Sequence, residues 1–369
     1  MTKKGIKRTN KSNIAKLILQ NRSITKAEVA SELGLSMPTV LSNVKELIDS
    51  GIVEAIGEHE STGGRKAKAL AIRADVKYAA GMDITQDYVS FVMIDVHGSI
   101  VDKHRVRMDF QHSNHYYETL AEEFEIFLKH AKVKDEDFLG IGVSLPGIVD
   151  REGKVLLKSH LFNLTNVNLQ ALAKRMRFDM VFENDANSAI LAENLQGNQN
   201  IVFLALKQTV GGAFYSNGEI YSGDHFRGGE FGHIILDPNG KDCFCGKQGC
   251  MNCYCSARVL SKYTNGNLDL FFAKLEAKDD IALKLWDEYT EYLAIAVANL
   301  RMALDCDIII GGDVGAYFDK YMDDFSEKVT RYNAFENDIL YVKTCQYKRE
   351  SSAVGIALTF VDRYFDTLA

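Results

Sequence analysis

No run of apolar residues in this 369-residue chain is long enough to span a bilayer, which takes about 20. The Lys- and Asn-rich start also lacks the apolar core of about 7–15 residues that a secretory signal carries. These absences argue against a membrane-embedded or exported protein and make the cytoplasm the expected compartment. They also bear on the seven cysteines, at 243, 245, 250, 253, 255, 306 and 345, of which five fall within 13 residues. Without an export signal, such crowding argues for a metal rather than disulfides. The length favours two or more domains with ample core, and the apolar (46%) and charged (25%) fractions are those of an ordinary folded protein.

Among what is present, Glu230-Phe-Gly-His233 followed by Cys243-Phe-Cys245-Gly-Lys-Gln-Gly-Cys250 carries most information. One imidazole and three thiols lie within 18 residues, separated by a turn at Pro238–Gly240 and flanked by glycines that let a backbone wrap an ion. His233, Cys243, Cys245 and Cys250 make a complete tetrahedral set for zinc, and four protein ligands leave no open position for water, so the site reads as structural. The alternative is a chance cluster of buried thiols. Cys253 and Cys255 could be alternative thiol ligands but are expected to be ordinary buried cysteines.

Charge is segregated. Residues 1–73 hold 13 Lys+Arg against 7 Asp+Glu, while the remainder holds 30 against 43. A basic head on an acidic body suggests that the head meets a polyanion. Ile14, Leu17 and Ile18 mark one face of a first helix. Thr25 and Glu28 form a capping box for a second, with Val29, Ala30 and Leu33 on its apolar side. Gly34 supplies the turn, Ser36 an N-cap, and Pro38 sits in the first turn of a third helix whose Val40, Val44 and Leu47 face the core. Ser36, Met37, Thr39, Ser42, Asn43 and Lys45 are then expected on the outer face, the one that a recognition helix lays in the major groove. Two short strands follow, over 51–56 and 68–73, with Ser61-Thr-Gly-Gly-Arg65-Lys66 at the tip between them. That is a wing whose Arg65 and Lys66 reach phosphate or a minor groove. A three-helix protein-interaction domain is the blander alternative.

From about residue 77 strands alternate with helices: strands near 78–83, 89–95, 139–144, 181–183, 201–206 and 307–311, helices over 113–132, from 184 through 192, and over 286–304. This alternation predicts an α/β protein whose strand ends, carrying Pro146-Gly147, Asn184-Asp185 and Gly311-Gly312, bind ligands. With Ser144-Leu-Pro-Gly147-Ile-Val-Asp150, Glu183-Asn-Asp185-Ala-Asn187, Gly228-Gly-Glu230-Phe-Gly-His233 and the Cys243/Cys245/Cys250 knuckle, nearly the whole chain resembles the ROK family (repressors, open reading frames, kinases). It is similar to the family's xylose-, glucose- or N-acetylglucosamine-responsive repressors. The resemblance implies an N-terminal winged helix-turn-helix over 1–75. It also implies a two-lobed, actin-like or hexokinase-like sugar-binding and oligomerising domain over 76–369, with a zinc knuckle at 233–250.

In such proteins the Asp of the Asn-Asp pair takes a proton from a sugar hydroxyl; here that is Asp185, with Asn184 on a neighbouring hydroxyl. Glu230 and His233 map to the family's Gly-Glu-x-Gly-His motif, the His using one ring nitrogen for zinc and leaving the other near the sugar. Gly147 and His160 fall where further sugar contacts are placed. The position of the family's sugar-contacting Glu is Asn252, an amide that donates as well as accepts, which implies a different or more weakly held ligand.

Two loops depart from the kinase pattern. Asp-x-Gly-Gly-Thr reads Asp83-Ile-Thr85-Gln86-Asp87, and Gly-Thr-Gly-x-Gly-Gly-Gly reads Lys207-Gln208-Thr209-Val210-Gly211-Gly212-Ala213. Phosphate cradles depend on glycine for close backbone approach, so no ATP binding is expected and Asp185 is a vestigial base, a sugar anchor without a phosphoryl donor. The expectation is a non-enzymatic, sugar-responsive repressor that binds operator DNA as a homodimer or homotetramer. An ATP-dependent sugar kinase, or a repressor answering a protein partner, are the alternatives.

Overall fold

A computed structural model of the protein describes residues 3–59, 67–150, 152–193 and 200–368. They divide into two compact units: 1–143 with 169–182 and 356–369, and 144–168 with 183–355.

In the first unit the head builds helices Lys3–Asn21, Lys26–Leu33 and Met37–Asp49 and a three-stranded sheet with Ala67–Ile72 between Ile24–Thr25 and Val53–His59. Apolar spacing drives this: Ile14, Ile18, Val29, Val40, Val44 and Leu47 are all fully buried. The start signals act as expected. Thr25 accepts from Glu28 N at 3.3 Å while Glu28 Oε2 accepts from Thr25 N at 2.7 Å. Gly34 turns left-handed at φ 61° to end the second helix, and Ser36 caps the third.

The rest of the first unit is centred on a five-stranded sheet in the order Ile100–Arg107, Tyr88–Asp95, Tyr78–Ile84, Phe138–Leu145, Met180–Asn184. Its first three strands form an antiparallel meander. Helix Asn114–Ala131, capped by Ser113, sets Phe124 and Phe127 with ring centroids 6.0 and 5.6 Å from that of Phe91. The last helix, Ser351–Asp366, lies against strand Phe138–Leu145, so closely that a Cβ on Gly142 would sit 2.6 Å from Ile356 O.

The second unit repeats the arrangement. Its sheet runs Glu219–Ile220, Val210–Ser216, Ile201–Leu206, Asp307–Gly311, Val342–Thr344. Numbered within its own sheet, each set of five reads 3-2-1-4-5. Ile201–Leu206, Asp307–Gly311 and Val342–Thr344 are parallel, and the first of these is buried on both faces, hence its unbroken apolar run. Helix Asp280–Leu304 buries Trp286, Tyr289, Leu293, Ala294 and Val297 in the same core. A small sheet of Ile148–Val149, Val155–Ser159 and Leu164–Asn168 completes the unit. No helix among the described residues is long and apolar enough to cross a membrane.

Candidate functional site

Residues of the second unit surround a polar cavity of about 160 Å³ lined by Gly147, Asn184, Glu230, Glu183, Asp150, Asn187 and the glycines at 211, 212 and 228, among others. Gly147 has φ 143°, and a Cβ there would lie 2.6 Å from Lys158 O, so only glycine permits this wall. Asn184, the last residue of its strand, donates from Nδ2 to Gly147 O at 2.9 Å. Its Oδ1 accepts from Ala186 N and Asn187 N, fixing the turn into helix Asp185–Glu193. Glu183 Oε1 accepts from Asn187 Nδ2 and Asn184 N. Burial nevertheless raises its carboxyl above the usual range, because the charged form is held away from water. Glu230 is raised as well, first by desolvation, against the pull of His233 and with the push of Asp185, although 48% of its side chain is exposed.

Of the sequence-derived sugar residues, Gly147, Asn184 and Glu230 therefore line one cavity. Asp185, His160, His233 and Asn252 stand outside its lining. Asn252 is buried, and its Oδ1 accepts from Val210 N at 2.8 Å, which spends the amide oxygen on the turn that replaces the second phosphate loop. Asp185 is at the first turn of its helix with Oδ2 3.3 Å from Lys207 Nζ; both side chains are 15% exposed. That ion pair was not anticipated, although the loss of glycine at 207 was its visible trace. The first loop, Thr85–Asp87, is a tight hairpin turn in which Thr85 N donates to Tyr88 O at 2.9 Å.

His233, Cys243, Cys245 and Cys250 converge, their ligand atoms all within 4.8 Å of one another. The knuckle is a short hairpin: Cys243 N donates to Lys247 O, Gly246 N to Cys243 O, and Cys250 bridges Ile235. Cys245 and Cys250 Sγ are 3.7 Å apart, close to the edge of about 3.8 Å that a tetrahedron with Zn–S of about 2.3 Å requires. His233 Nδ1 is buried with no hydrogen-bond partner, while Nε2 is 3.9 Å from Glu230 Oε2. An orphaned buried nitrogen on an imidazole grouped with three thiols fits a metal site. Burial and the neighbouring thiols push Cys250 up to about 12, an obstacle to ionisation that a bound dication reverses. Cys253 is no part of the set and, against expectation, is only half-buried, because its thiol turns outward to donate to Asp242 O at 3.4 Å, whereas Cys255 is fully buried as expected. Phe244, 53% exposed between two thiols, has its ring 5.7 Å from that of His160 and 5.5 Å from that of His233.

In the head, Ser36, Met37, Ser42 and Lys45 are exposed and Thr39 half-buried. Asn43 corrects the sequence reading. It is only 2% exposed and its Nδ2 donates to Thr39 O at 2.8 Å, because position 43 falls on the inward face beside Val40, Val44 and Leu47. Leu41, 45% exposed, takes an outward position that polarity alone did not flag. Arg65 and Lys66 lie outside the described residues.

A winged helix-turn-helix joined to a body with two like-ordered sheets and a polar strand-end cavity defines the class. The chain belongs to the ROK family, which residues 79–363 match, and residues 8–54 match winged helix-turn-helix DNA-binding domains. It is 28% identical over 310 residues to the xylose repressor of Bacillus subtilis, covering 80% of this chain and 79% of that one. It is 25% identical over 272 residues to the DNA-binding transcriptional dual regulator NagC of Escherichia coli, covering 71% and 67%. Among solved structures, a ROK family transcriptional regulator homologous to the E. coli MLC protein aligns over 98% of both chains with a TM-score of 0.74 at 21% identity. A ROK family glucokinase from Streptomyces griseus in complex with glucose and AMPPNP aligns with 76% of this chain and 98% of its own, with a TM-score of 0.65 at 22% identity.

Proposed function

We propose that this protein is a cytoplasmic transcription repressor of carbohydrate-utilisation genes whose hold on operator DNA is changed by a sugar bound in the ROK body. The observation that carries the reading is the union in one chain of a winged DNA-binding head with a body whose Gly147, Asn184 and Glu230 line a single polar cavity. Residues 1–75 would bind DNA through Ser36, Met37, Thr39, Ser42 and Lys45, with Arg65 and Lys66 of the wing on phosphate or a minor groove. Residues 76–369 would bind the effector and form the dimer or tetramer, a two-fold assembly matching paired half-sites.

Asp185, outside the lining but next in the chain to the lining residue Asn184, would accept a sugar hydroxyl without acting as a base. Lys207 at 3.3 Å supplies it with a cation, and neither former phosphate loop offers a glycine cradle for ATP. Zinc is the metal proposed for His233, Cys243, Cys245 and Cys250, on the strength of the ligand set and the 3.7 Å sulfur separation. Bound there, it would supply rigidity rather than chemistry. With Nδ1 directed to the metal, the Nε2 edge of His233 stays beside Glu230 at the cavity.

The test is fluorescence anisotropy of the protein on DNA from its own upstream region, repeated across a panel of sugars. Salt-sensitive binding that one sugar weakens is the expected result; Asp185→Asn should then lower that sugar's affinity by about tenfold or more, the worth of a hydrogen bond to a charged group. Turnover with ATP-Mg and a sugar, abolished by the same substitution, would overturn the reading in favour of a kinase.

A further inference from the structure

One charged group ties the carboxylate of Asp185 to a second helix. Lys207 opens the turn after strand Ile201–Leu206, and its backbone is fixed on both sides: its N–H donates to Thr209 O at 3.2 Å and its carbonyl accepts from Ala257 N at 2.7 Å. The ammonium end reaches Asp185 Oδ2 at 3.3 Å and Ser352 Oγ at 3.0 Å. The first is the carboxylate at the start of helix Asp185–Glu193; the second is a buried hydroxyl in the first turn of helix Ser351–Asp366.

The same two helices also meet at Glu193, whose carboxylate accepts from Ser351 Oγ at 3.3 Å and from Gln346 N at 2.8 Å. A Cβ on Gly355 would collide with Ser188 O, so the helices are in backbone contact there. The far end of helix Ser351–Asp366 grips the DNA-binding head. Ser12 Oγ donates to Phe365 O at 2.6 Å in a buried bond, and Lys16 Nζ lies 2.6 Å from Asp366 Oδ1. The helix is sixteen residues long and contains no proline, so a displacement of its first turn is carried along its axis more readily than it is absorbed by a kink.

We propose that Lys207 is a positioning residue that relays occupancy of the cavity to the head. The proposal rests on the sugar-repressor reading. A sugar hydroxyl that takes Asp185 competes with the ammonium. Lys207 then leans on Ser352, and the helix end holding Ser12 and Lys16 shifts with the helix. Thermodynamically the sugar need only bind one of the two Lys207 arrangements more tightly than the other. In a phosphate cradle this position would be glycine; here a cation shared between Asp185 and Ser352 makes the same turn a switch.

The experiment compares the full-length wild type with Lys207→Met and Ser352→Ala, using anisotropy on upstream DNA with D-xylose, D-glucose or N-acetyl-D-glucosamine. Sugar affinity is measured by calorimetry and folding by thermal melting. Amide exchange over residues 9–21 is followed with and without sugar, a readout that a merely structural role for Lys207 would leave unmoved. In the wild type one sugar is expected to shift operator affinity by about tenfold, an ordinary allosteric coupling. Both variants should keep less than about twofold of that shift while still binding the sugar, and should lose the sugar-induced change in exchange of the first helix. Ser352→Ala lies outside the cavity and serves if Lys207→Met melts early. Variants that retain the full shift sink the relay alone. A wild type that none of the three sugars shifts sinks the sugar-repressor reading, and the relay with it.

Discussion

Asp185 and Glu183 are neighbouring carboxylates at the cavity region, and the protein treats them differently. Asp185 has the ammonium of Lys207, whereas Glu183 accepts from two neutral amide donors. The folded-state value of Glu183 is raised above its ordinary 4.5, chiefly by burial, so ionisation costs stability. The sign follows: its contribution is fully present below the unfolded value and is lost as pH rises through the folded one. Glu183→Gln keeps an oxygen for both donors and removes the charge. It should therefore be more stable than wild type at pH 7 in urea titrations, with the difference fading toward pH 4.5 and below. Equal stability at both pH values would show that water reaches this carboxylate. At the His/Cys cluster, Cys250→Ser should abolish binding of the proposed zinc, seen by elemental analysis, and lower the melting temperature by about 10 °C or more, because metal binding is coupled to local folding. Cys253→Ser is the control that keeps the metal, since that thiol is engaged with Asp242 O.

Capping and glycine geometry decide the elements. In the head the capping box at Thr25 and Glu28, the left-handed Gly34 and the Ser36 cap were all legible, because each rule involves residues three or four apart in the chain. The inward turn of Asn43 was not legible, since polarity argues for solvent and only the third helix's packing puts that position against the core. Gly147 shows the same limit at the cavity. The Pro-Gly pair announced a turn, but the need for glycine comes from the carbonyl of Lys158, on a strand that the sequence did not reveal. Gly147→Ala must force both φ 143° and a 2.6 Å contact with Lys158 O. It should destabilise by about 1–3 kcal/mol and abolish sugar binding, read by chemical denaturation and calorimetry. Unaltered binding would place the ligand elsewhere.

Taken whole, the molecule separates a basic head from an acidic body, and its DNA affinity should depend steeply on salt. Lys45→Ala should weaken binding to all sequences alike and reduce the slope of log affinity against log salt by about 1. A loss confined to one operator sequence would instead assign Lys45 to base readout. The two units do not follow chain order. The chain crosses between them at 143/144, 168/169, 182/183 and 355/356, and three of those crossings fall within a strand or helix. Helix Ser351–Asp366 begins in one unit and ends in the other, which is why its two ends find such different partners.

By itself the sequence determined whatever local rules write: the winged head, the α/β alternation, the ligand set of the knuckle and the lost glycines of both phosphate loops. Periodicity, caps and ligand spacing are short-range, and each leaves its mark within a few residues. The tertiary structure alone decided which strand ends close on one cavity. It also placed the ammonium of Lys207 between Asp185 and Ser352, 22 and 145 positions away in the chain. It brought the last helix back to Ser12, across 353 positions. Such contacts depend on how sheets and helices pack, and no pattern of neighbouring residues encodes them.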